Sequence, residues 1–186
     1  MMSVKHLTMQ ELQAGLDAIL QSPKDNGVLE MIVRRPEIDE REVLDEGHLD
    51  LAKGLIGDNW QARGSGQTAQ RPANPDAQLT LMNARVIALL TQDKERWPLA
   101  GDQLFVDLDL SDDNLPPGTR LAIGAGVVEV TALPHTGCKK FMARFGLDAL
   151  EFVNSPLGKQ LHMRGINTKV IQPGKICLGD VVRKVS

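Results

Sequence analysis

The residues best placed by type and order to do chemistry lie in Leu133-Pro134-His135-Thr136-Gly137-Cys138-Lys139-Lys140-Phe141-Met142-Ala143-Arg144-Phe145. An apolar run ends at Pro134, a flexible turn follows, and Cys138 opens a segment of helical character. The free N–H groups and positive dipole end of a helix favour thiolate over thiol. Lys139, Lys140 and Arg144 add positive charge nearby. A thiolate is both a nucleophile and a soft-metal ligand, so either chemistry would use this setting. The competing expectation is an inert cysteine, buried as a small apolar residue. Phe141, Phe145 and Met142 read as the core face of the same helix.

Other candidates are weaker. Cys177 sits among strand-type residues and reads as a buried structural thiol. His135, three residues before Cys138, suggests a Cys–His pair, but no third orienting group is visible, and a turn or rim histidine is expected. His6, His48 and His162 are isolated. Arg34 and Arg35 would close a strand with two fixed cations, which suits a phosphate or carboxylate, or else an ordinary solvated edge. Arg63 and Arg164, both next to glycine, are secondary candidates of the same kind. The acidic run at residues 107–113 fails as a calcium loop, because Asp112 stands where glycine is required and Gly118 where glutamate is. Gly124-Ala125-Gly126 lacks the third glycine of a dinucleotide fingerprint. No Walker sequence, GxSxG elbow or HExxH occurs.

The elements that must position these residues are mostly strands. Residues 28–33, 78–82, 103–108, 120–123 and 127–133 are short β-type runs, and 169–171 and 181–185 continue the pattern. Turn signals separate them at Gly124–Gly126, Pro173-Gly174 and Gly179-Asp180. Many short strands with such punctuation favour a barrel or sandwich. Helical segments are expected at 84–92 and 138–153. Before them, Thr8 and Glu11 form a capping box, and Met9, Leu12, Leu16, Ile19 and Leu20 recur at helical spacing. Residues 1–26 are therefore expected to form an amphipathic helical extension on the main body or a partner. Residues 61–76 are expected to be a long, functional loop.

Composition narrows the function classes. The chain has 186 residues, 42% hydrophobic and 24% charged, with net charge −3, so a single domain with its own core is expected. Two cysteines cannot build a disulfide scaffold, and no CxxC pair marks a zinc module. A slightly acidic chain with four Phe, two Trp and no Tyr offers nucleic acid neither a basic surface nor stacking platforms. The N-terminus shows no apolar stretch of signal-peptide length, and no apolar run is long enough for a bilayer. A cytoplasmic protein without membrane or nucleic-acid partners is expected.

A family resemblance gathers these pieces. Gly54-Leu55-Ile56-Gly57-Asp58 resembles the GLxGD element of MOSC domains, the C-terminal domain type of molybdenum cofactor sulfurases. The strand leading into Gly137-Cys138 is similar to the family's cysteine-bearing segment. Residues 164–174, from Arg164-Gly165 to Pro173-Gly174, with Gly179-Asp180 after them, resemble its closing RGG-x-x-x-x-V-x-x-pG…GD pattern. The three elements occur in family order over residues 28–186. Gly137 stands where small bacterial members carry proline, and a glycine there would let a bulky cofactor approach the backbone.

The resemblance implies a mainly β fold with a few helices, a MOSC-type barrel-like single domain over 28–186 preceded by the helical extension. It implies the molybdenum cofactor (molybdopterin), with Cys138 as metal ligand and catalytic residue, because a thiolate suits a soft metal already held by a pterin dithiolene. The pterin phosphate needs fixed cations. Arg34, Arg35, Lys139, Lys140 and Arg144 are available, the first two favoured because a strand end is rigid. The implied activity is reduction of N-hydroxylated and related N-oxygenated small molecules. Electrons would come from a separate reductase, since no flavin or iron–sulfur motif is present. The alternatives are a sulfur carrier, with a persulfide on Cys138 received from a separate cysteine desulfurase holding pyridoxal phosphate, or a cofactor-binding module without turnover.

Overall fold

A computed structural model describes residues 5–64 and 71–186. Its strands, in chain order, are β1 (Gly27–Arg34), β2 (Glu42–Leu44), β3 (Glu46–Asp50), β4 (Gly54–Leu55), β5 (Leu79–Asn83), β6 (Leu104–Asp107), β7 (Arg120–Ile123), β8 (Gly126–Val130), β9 (Ile166–Gln172), β10 (Gly174–Cys177) and β11 (Val181–Val185). Seven of them pair in the order β11-β7-β8-β9-β5-β6-β1. Gly27 and Val28 of β1 then pair with Val182 and Val181 of β11, which closes the barrel and removes its edges. Strand β2 lies outside on β1, and β10, β3 and β4 form a small second sheet. The fold is mainly β with a few helices, as the sequence implies.

The barrel is buried on both faces for much of its wall. On β5 and β6, Leu79, Leu81, Leu104 and Val106 point inward, while Met82 and Phe105 alternate outward into a helical layer. Both sets are fully buried, which is why these strands read as continuous apolar runs. The pair β5–β6 is parallel. Its crossover is a helix, Ala84–Thr91, followed by a 3-10 segment, Lys94–Ala100. That crossover delivers Gly101 and Asp102 to the barrel's end.

Numbered in chain order, the α-helices are α1 (Met9–Ala14), α2 (Leu16–Leu20), α3 (Trp60–Arg63), α4 (Ala84–Thr91), α5 (Lys139–Phe145), α6 (Leu147–Asn154) and α7 (Pro156–Gln160). The expected N-terminal helix carries its capping box at Thr8 and Glu11 but breaks in two at Gly15. A Cβ at Gly15 would lie 2.4 Å from Leu89 Cδ1, so glycine permits the chain to close on α4. Leu12 and Ile19 are buried in the helical layer with Phe145, Ala149 and Ile87. The segment expected as one helix over 138–153 is also two, α5 and α6, separated by Gly146 at φ +94. Of the expected long loop at 61–76, residues 65–70 lie outside the described residues. Its flanks are α3 and a 3-10 turn at Pro75–Ala77. No helix among the described residues is long and apolar enough to cross a membrane.

If α1 and α2 are part of the core, Leu12→Ala lowers unfolding free energy by about 2–5 kcal/mol in urea denaturation. Leu20→Ala, on an exposed side chain, shifts it by about 0.5 kcal/mol or less. Equal, small effects would mean the extension is dispensable.

Candidate functional site

Two buried carboxylates organise one end of the barrel. Asp58, at the close of the Gly54–Asp58 turn, is fully buried and meets Arg35 just past β1. Its Oδ2 accepts from Arg35 Nε at 2.8 Å and its Oδ1 from Arg35 Nη2 at 2.7 Å, a bidentate pair. Arg35 Nη1 donates to the Gly101 carbonyl at 2.9 Å. The aspartate of the GLIGD element thus fixes an arginine from a different strand. Burial raises the Asp58 pKa, but the Arg35 bonds outweigh it and hold the carboxyl below its ordinary range.

The second carboxylate, Asp102, is fully buried between two partners. Arg164 Nη1 donates to its Oδ2 at 2.6 Å, and His135 Nε2 lies 3.0 Å from its Oδ1. Burial pushes the Asp102 pKa up; Arg164 and His135 together push it further down, to about 2. His135, expected as a turn or rim histidine, is held in place by this contact, with its side chain 21% exposed. Desolvation and the Arg164 charge lower its pKa below 6.5 despite Asp102. The imidazole is therefore neutral at pH 7. An ionised carboxylate only accepts, so the neutral ring must carry its proton on Nε2 and leave Nδ1 as a bare acceptor. Gly165, at φ +110, makes room: a Cβ there would meet the Leu81 carbonyl oxygen at 2.4 Å and His135 Cδ2 at 3.3 Å.

The segment between β8 and α5 has no ladder of its own, and side-chain amides hold it. Asn167 Nδ2 donates to the Leu133 and Pro134 carbonyls at 3.0 and 3.3 Å. Asn154 accepts from Gly137 N at 2.9 Å and donates to Gly137 O at 3.3 Å. A Cβ on Gly137 would lie 2.7 Å from Leu150 Cδ1. Helix α6 therefore takes up the space that the sequence assigned to a cofactor, and the glycine serves packing.

Cys138 follows as the N-cap of α5, exposed and free. The expectation of a buried thiol does not hold there. Nor does it hold fully for Cys177, which is half-buried because β10 belongs to the small outer sheet rather than the barrel wall.

Cys138 lines a cavity of about 370 Å³ together with His135, Phe141, Thr80 and six cations: Arg35, Arg41, Arg63, Lys140, Arg144 and Arg164. No carboxylate is on that lining among the described residues. Of the residues singled out in the sequence, Arg35, Lys140, Arg144 and Cys138 come together here, with His135 and the secondary candidates Arg63 and Arg164. Arg34 does not: its guanidinium pairs with Glu42 on β2, with Nε 2.7 Å from the carboxylate. Lys139 is exposed outside the lining. Asp102 and Arg41 carried no sequence signal for this role, and Asp58 only its place in the Gly54–Asp58 element. Arg164 was visible only as a cation beside a glycine. Its Nε, buried, has no hydrogen-bond partner among the described residues. Leaving such a donor unpaired costs about 1–3 kcal/mol, and such costs concentrate at functional sites. A second, more apolar cavity of about 440 Å³ lies against the same wall, sharing Leu133, Pro134, His135, Arg164 and Asn167 but not Cys138.

Among the described residues no three His, Cys, Asp or Glu side chains converge as a metal cage. A metal held at Cys138 would have to bring other ligands with it.

The fold has solved counterparts. YuaD protein from Bacillus subtilis superposes with a TM-score of 0.63 at 16% identity, covering 87% of this chain and 97% of that one. YiiM from Escherichia coli gives 0.54 at 20%, covering 86% and 70%. A structure described as a hypothetical protein gives 0.57 at 20%, covering 90% and 71%. No family model matches the chain, and no curated protein matches it significantly by sequence. At these identities the likeness establishes the fold.

Two measurements check the electrostatics. Long-range 1H–15N correlation spectra should show His135 as the Nε2–H tautomer at pH 7, titrating below 6.5. An Nδ1–H tautomer would contradict the contact with Asp102. For stability, a carboxylate with a depressed folded pKa stabilises the fold above its ordinary value of 3.8, and this is lost as pH falls toward about 2. Resistance to urea should fall over that window. Asp102→Asn strands the Arg164 charge and should cost roughly 3–5 kcal/mol at pH 7, with a shallower acid loss.

Proposed function

We propose that this chain is a MOSC-type protein that holds the molybdenum cofactor and reduces N-hydroxylated and related N-oxygenated small molecules, with Cys138 as the protein's ligand to molybdenum. The observation that carries it is an exposed cysteine on the wall of a cavity lined, among the described residues, by six cations and no carboxylate. The fold it shares with YuaD and YiiM, which are MOSC-domain proteins, supports the same reading.

The donor set fits the group. A cysteine thiolate suits a soft metal, and a lining without a protein cage among the described residues leaves room for a metal held on its own dithiolene. Arg41, Arg63, Lys140 and Arg144 would face the phosphate-bearing end of the cofactor, while Arg35 and Arg164, tied to buried carboxylates, shape the wall and contribute charge. When bound, the cofactor supplies two-electron oxygen-atom chemistry. The chain's own part is to fix Cys138 at the head of α5, to exclude free carboxylates from the anion, and to offer a hydrogen-bond acceptor at His135 Nδ1. Electrons would come from a separate reductase.

The exposure of Cys138 also favours a second reading, in which it accepts sulfur as a persulfide from a cysteine desulfurase that holds pyridoxal phosphate. One experiment separates the two. Metal analysis and oxidised-pterin fluorescence on protein from a molybdenum-replete host should give stoichiometric molybdenum in the wild type and Cys177→Ala, and at least a tenfold loss in Cys138→Ala. Cyanide-labile sulfur on Cys138 without molybdenum supports the carrier. A Cys138→Ala protein unchanged in both overturns both readings.

A further inference from the structure

The cavity carries more positive charge than one phosphate can match. Six cations line it, and three carboxylates lie within salt-bridge reach of them among the described residues: Asp58 on Arg35, Asp102 on Arg164, and Asp39 shared between Lys140 and Arg144 at 3.7 and 3.3 Å. Three positive charges are left over. Arg41 and Arg63 make no ion pair among the described residues. Arg41 gives Nε and Nη1 to the Pro98 and Glu40 carbonyls. Desolvation, then the Arg144 charge and then Arg35 lower the pKa of half-buried Arg41, and Arg35 also repels the more exposed Arg63. Asp58 attracts both arginines and Asp39 attracts Arg41, and a bound anion would offset the repulsion that remains.

The unmatched charge also comes in two sets on different elements. Arg41 follows the β1 end and Arg63 closes α3, whereas Lys140 and Arg144 stand four residues apart on α5, which puts them on one face of that helix. A phosphate monoester brings about −1.5 to −2 at pH 7 and leaves at least one cation unmatched. The volume of about 370 Å³ equals roughly a dozen waters at about 30 Å³ each, more space than one phosphoryl group fills.

We propose that this cavity binds two adjacent phosphoryl groups, a diphosphate, with Arg41 and Arg63 on one and Lys140 and Arg144 on the other. The inference rests on reading the cavity as an oxyanion site and adds the number of phosphoryl groups. A diphosphate could arrive as the inorganic ion, on a nucleoside, or on the tail of a cofactor.

Calorimetric titration of the full chain, freed of bound small molecules by gel filtration at high salt, with inorganic phosphate, inorganic pyrophosphate and ADP tests it. Pyrophosphate should bind at least about tenfold tighter than phosphate, with the steeper salt dependence. Arg63→Gln and Lys140→Gln, both at exposed positions, should each weaken pyrophosphate roughly tenfold. ADP at or above the affinity of pyrophosphate supports a nucleoside or cofactor source, and weaker ADP supports the inorganic ion. Equal affinities for phosphate and pyrophosphate, or indifference of pyrophosphate to either substitution, overturn the proposal. The molybdenum test at Cys138 is independent: metal bound by Cys138 without a diphosphate preference would leave the proposed function standing and remove this inference alone.

Discussion

Everything at the site depends on two carboxylates being buried behind it. Asp58 and Asp102 are both fully inaccessible, and each reaches forward to an arginine that the cavity sees. Removing a carboxylate and a guanidinium from water costs several kcal/mol per ion, and their attraction recovers this only where the geometry is good. Here it is good: Arg35 is engaged at all three guanidinium nitrogens, and Asp102 bonds through both oxygens. Apolar residues of similar volume would do the packing as well or better. What they could not do is fix a positive charge at a chosen point and, in the same network, set the tautomer of a histidine.

The barrel supplies the stiffness this needs. Its closure through β1 and β11 leaves the β1 end, the Gly54–Asp58 turn and the Ala100–Asp102 corner no freedom to drift apart. Arg35 donates to the Gly101 carbonyl and Arg164 to the Ala100 carbonyl, so the two ion pairs grip the same corner from both sides. The cysteine segment is held less rigidly. Two asparagines clasp a stretch without ladder bonds, and Cys138 stands exposed at its end. A fixed electrostatic wall facing an exposed thiol would suit the proposed cofactor, whose charged end the wall would hold still.

The sequence exposed the wall strands because their alternation and length are local properties. Residues 120–123 and 181–185 were read with their observed bounds, and β1 and β5 nearly so. It hid β2, β3, β4 and β10, which are short, partly polar and stabilised only by partners distant in the chain. Cys138 was legible because cysteine is rare and its neighbours are basic. Arg35, Lys140 and Arg144 were legible as charges, but not which of their neighbours would share the cavity: Arg34 and Lys139 have the same types and lie outside it. Asp102 could not be found at all. Its role comes from meeting His135 and Arg164, 33 and 62 residues away, and nothing about an aspartate after a glycine announces that meeting.

The same separation explains how a chain of net charge −3 builds so basic a cavity. Net charge fixes solubility and long-range steering; it does not fix the field inside a concavity. Asp58 and Asp102 face the cavity's arginines from behind, where protein rather than water lies between them and any ligand, while no carboxylate reaches the lining itself among the described residues. An anion entering would meet guanidinium groups already oriented and already partly desolvated, so little reorganisation is left for binding to drive. The acidic balance of the whole chain is compatible with a compact anion bound at one end of the barrel.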